Sequence, residues 1–179
     1  VIRLDRELCL HTERLKLTLM REEDVDEVLS LLSPTVLETC WTARFFQEDP
    51  LGFAARNGEW SIDQGEEDER ISFVVRLHAG NAIGLVSVAR SDGRAWMGYF
   101  IGDAFTGRGY VTEAAGRVMG YLLEELGLPE VSAMALDTNA ASIRVLEKLG
   151  MTYFKTTPWL IDGRETLWPS FEKRRADRV

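Results

Sequence analysis

Gly107-Arg108-Gly109 stands directly before an apolar periodic segment that begins at Val111. Glycines there permit a tight backbone and close approach to a ligand. Backbone N–H groups at a helix N-terminus form an anion site suited to a pyrophosphate, with Arg108 and Thr112 as further donors. Taken alone, Gly-x-Gly reads better as a plain strand-to-helix turn. A Walker loop would need Gly-Lys-Ser/Thr, which is absent. A dinucleotide fingerprint would need a third glycine where Thr112 stands, and its preceding strand would not belong to an antiparallel meander. Other reactive side chains are sparse. Cys9, Cys40, His11 and His78 show no metal-ligand spacing, so no metal is expected, and nothing supports a Cys-His catalytic pair.

The elements that must position this turn follow from periodicity. Leu15, Leu17 and Leu19 alternate with polar residues, which predicts a strand. Glu22-Glu23-Asp24 then supplies acids at a helix N-terminus, followed by Val25, Val28, Leu29 and Leu32 at helical spacing up to Ser33-Pro34. A second helix is expected over 36–47, with Asp49-Pro50 as its stop, and a polar loop over 56–70. Three consecutive strands are expected over 71–77, 83–90 and 95–101, the last two joined by a turn at Ser91-Asp92-Gly93. The strongest helix runs from Val111 through Ala114, Ala115, Val118, Met119, Leu122 and Leu123 to Leu126. A strand over 131–136, a helix capped by Asn139 and ended by Gly150, and a strand pair around Asp162-Gly163 complete the chain. The predicted class is α/β (α+β): a mixed, mostly antiparallel central sheet of about seven strands, with helices on both faces.

The 179 residues suit one domain, 1–179, with its core at about 12–171. With 45% hydrophobic and 28% charged residues the chain reads as an ordinary globular protein. A net charge of −8 argues against a nucleic-acid partner and weakly favours a cationic one. Low cysteine usage fits a cytoplasmic setting. No apolar run reaches membrane-spanning length, and the charged opening around Arg3-Leu4-Asp5-Arg6-Glu7 does not read as a signal peptide.

The segment Gly98-Tyr99-Phe100-Ile101-Gly102 through Ala104-Phe105-Thr106-Gly107-Arg108-Gly109-Tyr110-Val111-Thr112-Glu113-Ala114 resembles the acetyl-CoA-binding motif of the GNAT acetyltransferase superfamily. Further along, Asn139-Ala140-Ala141-Ser142-Ile143-Arg144-Val145-Leu146-Glu147-Lys148-Leu149-Gly150-Met151 resembles its second motif, in the form of the ribosomal-protein serine/alanine N-terminal acetyltransferase branch. The resemblance implies a GNAT-like fold whose strand around 96–101 carries a bulge, with Gly98 as the bulge residue, and splays from the parallel strand that follows. It implies acetyl-CoA as cosubstrate. Its pantetheine would pair with the freed backbone of Phe100, Ile101 and Gly102. Its pyrophosphate would sit on the N–H groups of Arg108, Gly109, Tyr110, Val111 and Thr112, with Gly107 and Asn139 also in contact with the cofactor.

Direct attack of an amine on the thioester is the implied reaction. The amine must be neutral, and an α-amino group with a pKa of about 8 needs less help from a base than lysine at about 10.4. A backbone N–H near Tyr99 or Phe100 would stabilise the oxyanion. Many relatives assist the leaving thiolate with a tyrosine where Leu146 stands. In its place Ser142 would hydrogen-bond the sulfur, or merely support the first turn of its helix. Some relatives carry a glutamate base where this chain has Trp96, leaving Asp103, Asp137, Glu48 or water. Ala104 likewise departs from the usual Gln or Arg. The acceptor would be a protein N-terminus or a small amine such as a polyamine, amino acid or aminoglycoside. Trp41, Phe45, Phe46, Trp60 and Trp159 are candidates for its pocket, and the acidic run at 66–69 for steering it, although core packing and a solvated loop are the plainer roles. A homodimer stays open, as does a non-catalytic acyl-CoA sensor on the same fold.

Overall fold

The computed structural model describes residues 2–5, 7–55, 59–60, 70–91 and 93–176. Strands β1 (Ile2–Arg3) and β4 (Glu59–Trp60) form a separate antiparallel pair. The remaining eight strands make one sheet in the order β2-β3-β5-β6-β7-β8-β10-β9. They are β2 (Cys9–His11), β3 (Leu15–Leu19), β5 (Arg70–Leu77), β6 (Ala82–Ser91), β7 (Arg94–Ile101), β8 (Glu130–Met134), β9 (Thr152–Ile161) and β10 (Arg164–Arg174). Among the described residues every pairing in this sheet is antiparallel except β7 with β8. The strand beyond the expected seven is β2, too short for its alternation to show in the sequence.

Helices cover both faces. On one face α1 (Val25–Leu29), α2 (Pro34–Thr39), α3 (Trp41–Glu48) and α4 (Pro50–Ala55) enclose a cluster of Val28, Phe46, Phe53, Val74, Leu85 and Phe100. On the other, α5 (Tyr110–Gly120) and α6 (Ala140–Lys148) pack with Leu15, Phe73, Val86, Met97, Val118, Leu122 and Leu146. Arg76 ties the first face to the sheet through Asp24 and Glu27, at 2.5 and 2.6 Å.

The helix expectations need correction in part. The helix over 36–47 is two helices, because Cys40 is extended (φ −130°, ψ 111°) and breaks it. Asp49-Pro50 does stop this stretch, since α3 ends at Glu48 with Asp49 as its C-cap, and Pro50 also starts α4: proline suits a first helical position, where no intrahelical N–H bond is lost. Likewise Ser33 is the N-cap of α2, its hydroxyl accepting from the Val36 N–H at 3.1 Å. The long helix widens after Gly120 into a π turn, Tyr121–Glu125. There the consecutive side chains of Tyr121, Leu122 and Leu123 are all buried, which an ordinary 3.6-residue turn does not achieve on one face. Most of the polar loop expected over 56–70 lies outside the described residues, apart from β4 and Arg70.

Candidate active site

The site begins where β7 and β8 part. They share one bridge, Trp96 with Ser132. From there β8 follows its other neighbour, as Ala135 N–H donates to Pro169 O and Asp137 N–H to Leu167 O. The closed end is pinned by Arg94, whose Nη1 lies 2.6 Å from Glu130, 2.9 Å from Glu172 and 3.2 Å from Ser132 Oγ. Hydrogen bonds from Arg94 are the first cause holding the Glu172 carboxyl below its usual range.

Strand alternation decides which backbone groups face the gap. Gly102 N–H donates to Ile83 O, and the ladder to β6 then runs in regular register through Phe100/Leu85 and Gly98/Ser87. In an antiparallel pair the residues between these hydrogen-bonded ones turn their N–H and C=O outward. Tyr99 and Ile101 therefore present their backbone toward β8, and the Cys40 thiol donates to the Tyr99 carbonyl at 3.1 Å. The expected bulge at Gly98 is absent, since the β6–β7 register does not shift there. Gly98 is required for another reason. A Cβ on it would collide with the Thr42 hydroxyl, so the glycine lets α3 sit close on β7. Phe100 and Gly102 spend their N–H groups on β6, which leaves Tyr99 rather than Phe100 as the donor facing the gap.

A cavity of about 1240 Å³ runs through this gap. On the α5/α6 side it is lined by Tyr99, Ile101, Gly107, Gly109, Tyr110, Val111, Thr112, Asn139 and Ser142, with Phe100 reaching it from the other face. Gly102 and Arg108 do not line it. Gly102 is buried against Leu31, and the Arg108 side chain is exposed. Gly107 and Gly109 have φ of +74° and +78°, left-handed values that glycine alone adopts readily. Gly109 is the N-cap of α5, so its turn offers the free N–H groups of a helix start to the cavity.

Two hydroxyls meet at the mouth of α6. Tyr99 Oη lies 3.1 Å from Ser142 Oγ. Burial pushes the Tyr99 phenol up to about 12, against the pull of its Ser142 hydrogen bond, so it stays protonated. Asn139 caps α6 as expected, its Oδ1 accepting from Ser142 N–H at 3.0 Å, while its Nδ2 reaches Thr39 O at 3.4 Å. Leu146, one turn along, is fully buried in the core and takes no part. The Cys40 thiol, though it lines the cavity, is pushed up by burial to about 11 and remains protonated. Cys9 and His11 touch at 3.2 Å on β2, away from the cavity.

The opposite side is aromatic. Four of the five tryptophans, Trp41, Trp96, Trp159 and Trp168, line it together with Phe45. Trp41, Trp159 and Trp168 pack pairwise with ring centroids 5.6 to 5.7 Å apart. Phe46 is core instead, against Phe53 and Phe100. The Trp60 side chain and the acidic run at 66–69 lie outside the described residues. Trp168 was not foreseen, because an apolar residue in a strand carries no mark of the cavity it faces. Glu48 and Asp103 line the cavity and Asp137 does not. Among the described residues no group of three or more His, Cys, Asp or Glu is placed to hold a metal, and no helix is long and apolar enough to cross a membrane.

Comparison with known proteins agrees with this geometry. The acetyltransferase (GNAT) domain family matches residues 14–152. The FsC-acetyl coenzyme A-N(2)-transacetylase of Aspergillus fumigatus is 28% identical over 82% of this chain, which spans 66% of that protein's length. An uncharacterized N-acetyltransferase of Bacillus licheniformis, p20, is 28% identical over 78% of this chain and 80% of its own. Among solved structures, a ribosomal L7/L12 α-N-protein acetyltransferase in complex with coenzyme A superposes with a TM-score of 0.76 at 14% identity, covering 93% of this chain and 98% of that one.

Proposed function

The chain belongs to the GNAT acetyltransferase family, and on that premise we propose that it acts as one acetyl-CoA-dependent N-acetyltransferase domain in the cytoplasm, acetylating a primary amine, foremost a protein N-terminal α-amine. The observation that carries this is the parting of β7 from β8 after Trp96, with a glycine turn at one end of the gap and the Tyr99–Ser142 hydroxyl pair at the other. The residues present fit the cosubstrate. Outward-facing backbone at Tyr99 and Ile101 can pair with amides, and the positive-φ glycines open a helix N-terminus suited to a diphosphate.

Acetyl-CoA supplies an electrophilic thioester carbonyl and a thiol leaving group. The protein's part is positional and electrostatic. The Tyr99 N–H holds negative charge developing on oxygen in the gap. Tyr99 Oη, kept protonated by burial, shares a hydrogen bond with Ser142 Oγ in which either hydroxyl can be the donor; with Tyr99 as donor, the serine proton is free for a sulfur anion. Glu48, Asp49 and Asp103 are the carboxylates that line the cavity, and one of them would take a proton from the amine directly or through water. An α-amine needs the least such help.

A second reading, acetylation of a small amine with a large apolar body, is favoured by the tryptophan wall. Calorimetric titration with acetyl-CoA, followed by thiol release against N-terminal peptides and small amines, tests both. Release with peptides supports the first reading, and release with apolar amines alone supports the second. Binding without release points to an acyl-CoA sensor. No binding overturns the proposal.

A further inference from the structure

The glycine turn is held from behind by one side chain. Arg14 lies in the turn between β2 and β3 and does not line the cavity. Its Nη1 donates to the Arg108 carbonyl at 2.9 Å. Its Nε and Nη2 both lie 2.6 Å from Glu113 Oε2, and its backbone N–H donates to Glu113 Oε1 at 3.0 Å. Its guanidinium carbon sits 4.7 Å from the Tyr110 ring centroid. A Cβ built on Gly109 would meet its Nη2 at 3.5 Å. One arginine thus touches the turn, the first helical residue and the first helical carboxylate.

Two physical effects follow. A trans peptide points its C=O and N–H in opposite directions. Drawing the Arg108 carbonyl toward the β2–β3 turn therefore sends the Gly109 N–H the other way, toward the cavity that Gly109 lines. Secondly, Glu113 places a negative charge in the first turn of α5, beside any bound anion. Thr12 and Arg14 draw that carboxylate away from the cavity, and Arg14 offsets its charge. Burial pushes the Glu113 carboxyl up, but these hydrogen bonds outweigh it and hold it below its usual range.

We propose that Arg14 is a positioning residue for diphosphate binding: it fixes the Arg108–Gly109 peptide with its N–H toward the cavity and neutralises Glu113 at the helix start. This rests on reading the cavity as an acyl-CoA site. The test is calorimetry of CoA and of pantetheine, which lacks the diphosphate, on the parent protein, Arg14→Met, Arg14→Lys and the double variant Arg14→Met/Glu113→Gln. Arg14→Met is expected to raise the Kd of CoA by about 10- to 100-fold, the range of a hydrogen bond to a charged group. The Kd of pantetheine should move less than about twofold, a few tenths of a kcal/mol. Lysine should restore part of the loss, and so should removal of the Glu113 charge in the double variant. General loosening or partial unfolding lowers both affinities alike, so the ratio between the two ligands is decisive. An unchanged ratio in Arg14→Met, with a parent that binds CoA, overturns the role of Arg14 alone. A parent that binds neither ligand overturns the acyl-CoA reading and this inference with it.

Discussion

On the glycine-turn side of the cavity the polar groups facing the ligand space are mostly backbone: the outward edge of β7 at Tyr99 and Ile101, and the start of α5 at Gly109. On the tryptophan side the ligand space is bounded by aromatic side chains, contributed by α3, β7, β9 and β10. On the proposed function the first half would recognise parts common to every acyl-CoA, and backbone geometry suffices for amides and phosphates. The second half would meet the acceptor, and side chains can be exchanged there without rebuilding the sheet. On that reading cosubstrate binding rests on conformation and acceptor choice on composition.

The sharpest way to break this contrast is Gly109→Trp. A left-handed residue at the N-cap of α5 would gain a bulky side chain where the turn must stay open. Acetyl-CoA affinity should fall by about 100-fold or more, as for loss of several charge-assisted contacts, while melting temperature reports the backbone strain separately. Retained tight binding would remove the diphosphate from this turn. On the other side, Trp159→Ala should raise KM for an apolar acceptor by about tenfold, the effect of truncating an interface aromatic, and leave the Kd of acetyl-CoA unmoved. A matching loss of CoA affinity would dissolve the division into halves.

Ser142→Ala tests the hydroxyl pair on the glycine-turn side. It should lower kcat by about tenfold, one neutral hydrogen bond's worth, with little change in cosubstrate Kd. Equal rates would leave Ser142 as helix support only. Smaller still is the pH effect at Tyr99. An ordinary phenol ionises at about 10, whereas Tyr99 is pushed up to about 12 by burial. Its folded value lies above its unfolded one, so its contribution to stability is complete below about 10 and is lost as pH rises through about 12. No fall in kcat/KM near pH 10 that Tyr99→Phe abolishes should be seen. The least effect is expected of Arg108→Ala. The exposed Arg108 side chain does not line the cavity, and Kd for acetyl-CoA should change less than about threefold. A large loss would mean that side-chain charge, not backbone, binds the phosphates.

Much of the glycine-turn half was legible beforehand, because its parts are neighbours in the chain. Gly107, Gly109, Val111 and Thr112 fall in one segment, and Asn139 and Ser142 in another, each a helix start whose cap chemistry is local. The bulge at Gly98 was misread because a glycine inside a strand has two explanations, an irregular ladder or a close neighbour. The neighbour, Thr42, is far away in sequence. The roles of Arg14 and Cys40 were invisible for the same reason, as each completes a backbone group from a distant element. Trp168 and Leu146, both apolar, differ only in what folds against them: one lines the cavity and the other the core.

By itself the sequence determined the class of fold, the order of seven of the eight main-sheet strands with α5 and α6 among them, and the two helix starts that line the cavity, since hydrophobic period and capping residues act within a few positions. Only the tertiary structure decided that β8 leaves β7 after one bridge, that Tyr99 rather than Phe100 faces the gap, and that four tryptophans share one wall. Those outcomes depend on register and on contacts between residues far apart in the chain, and a shift of one residue in register would turn every one of them to the other face.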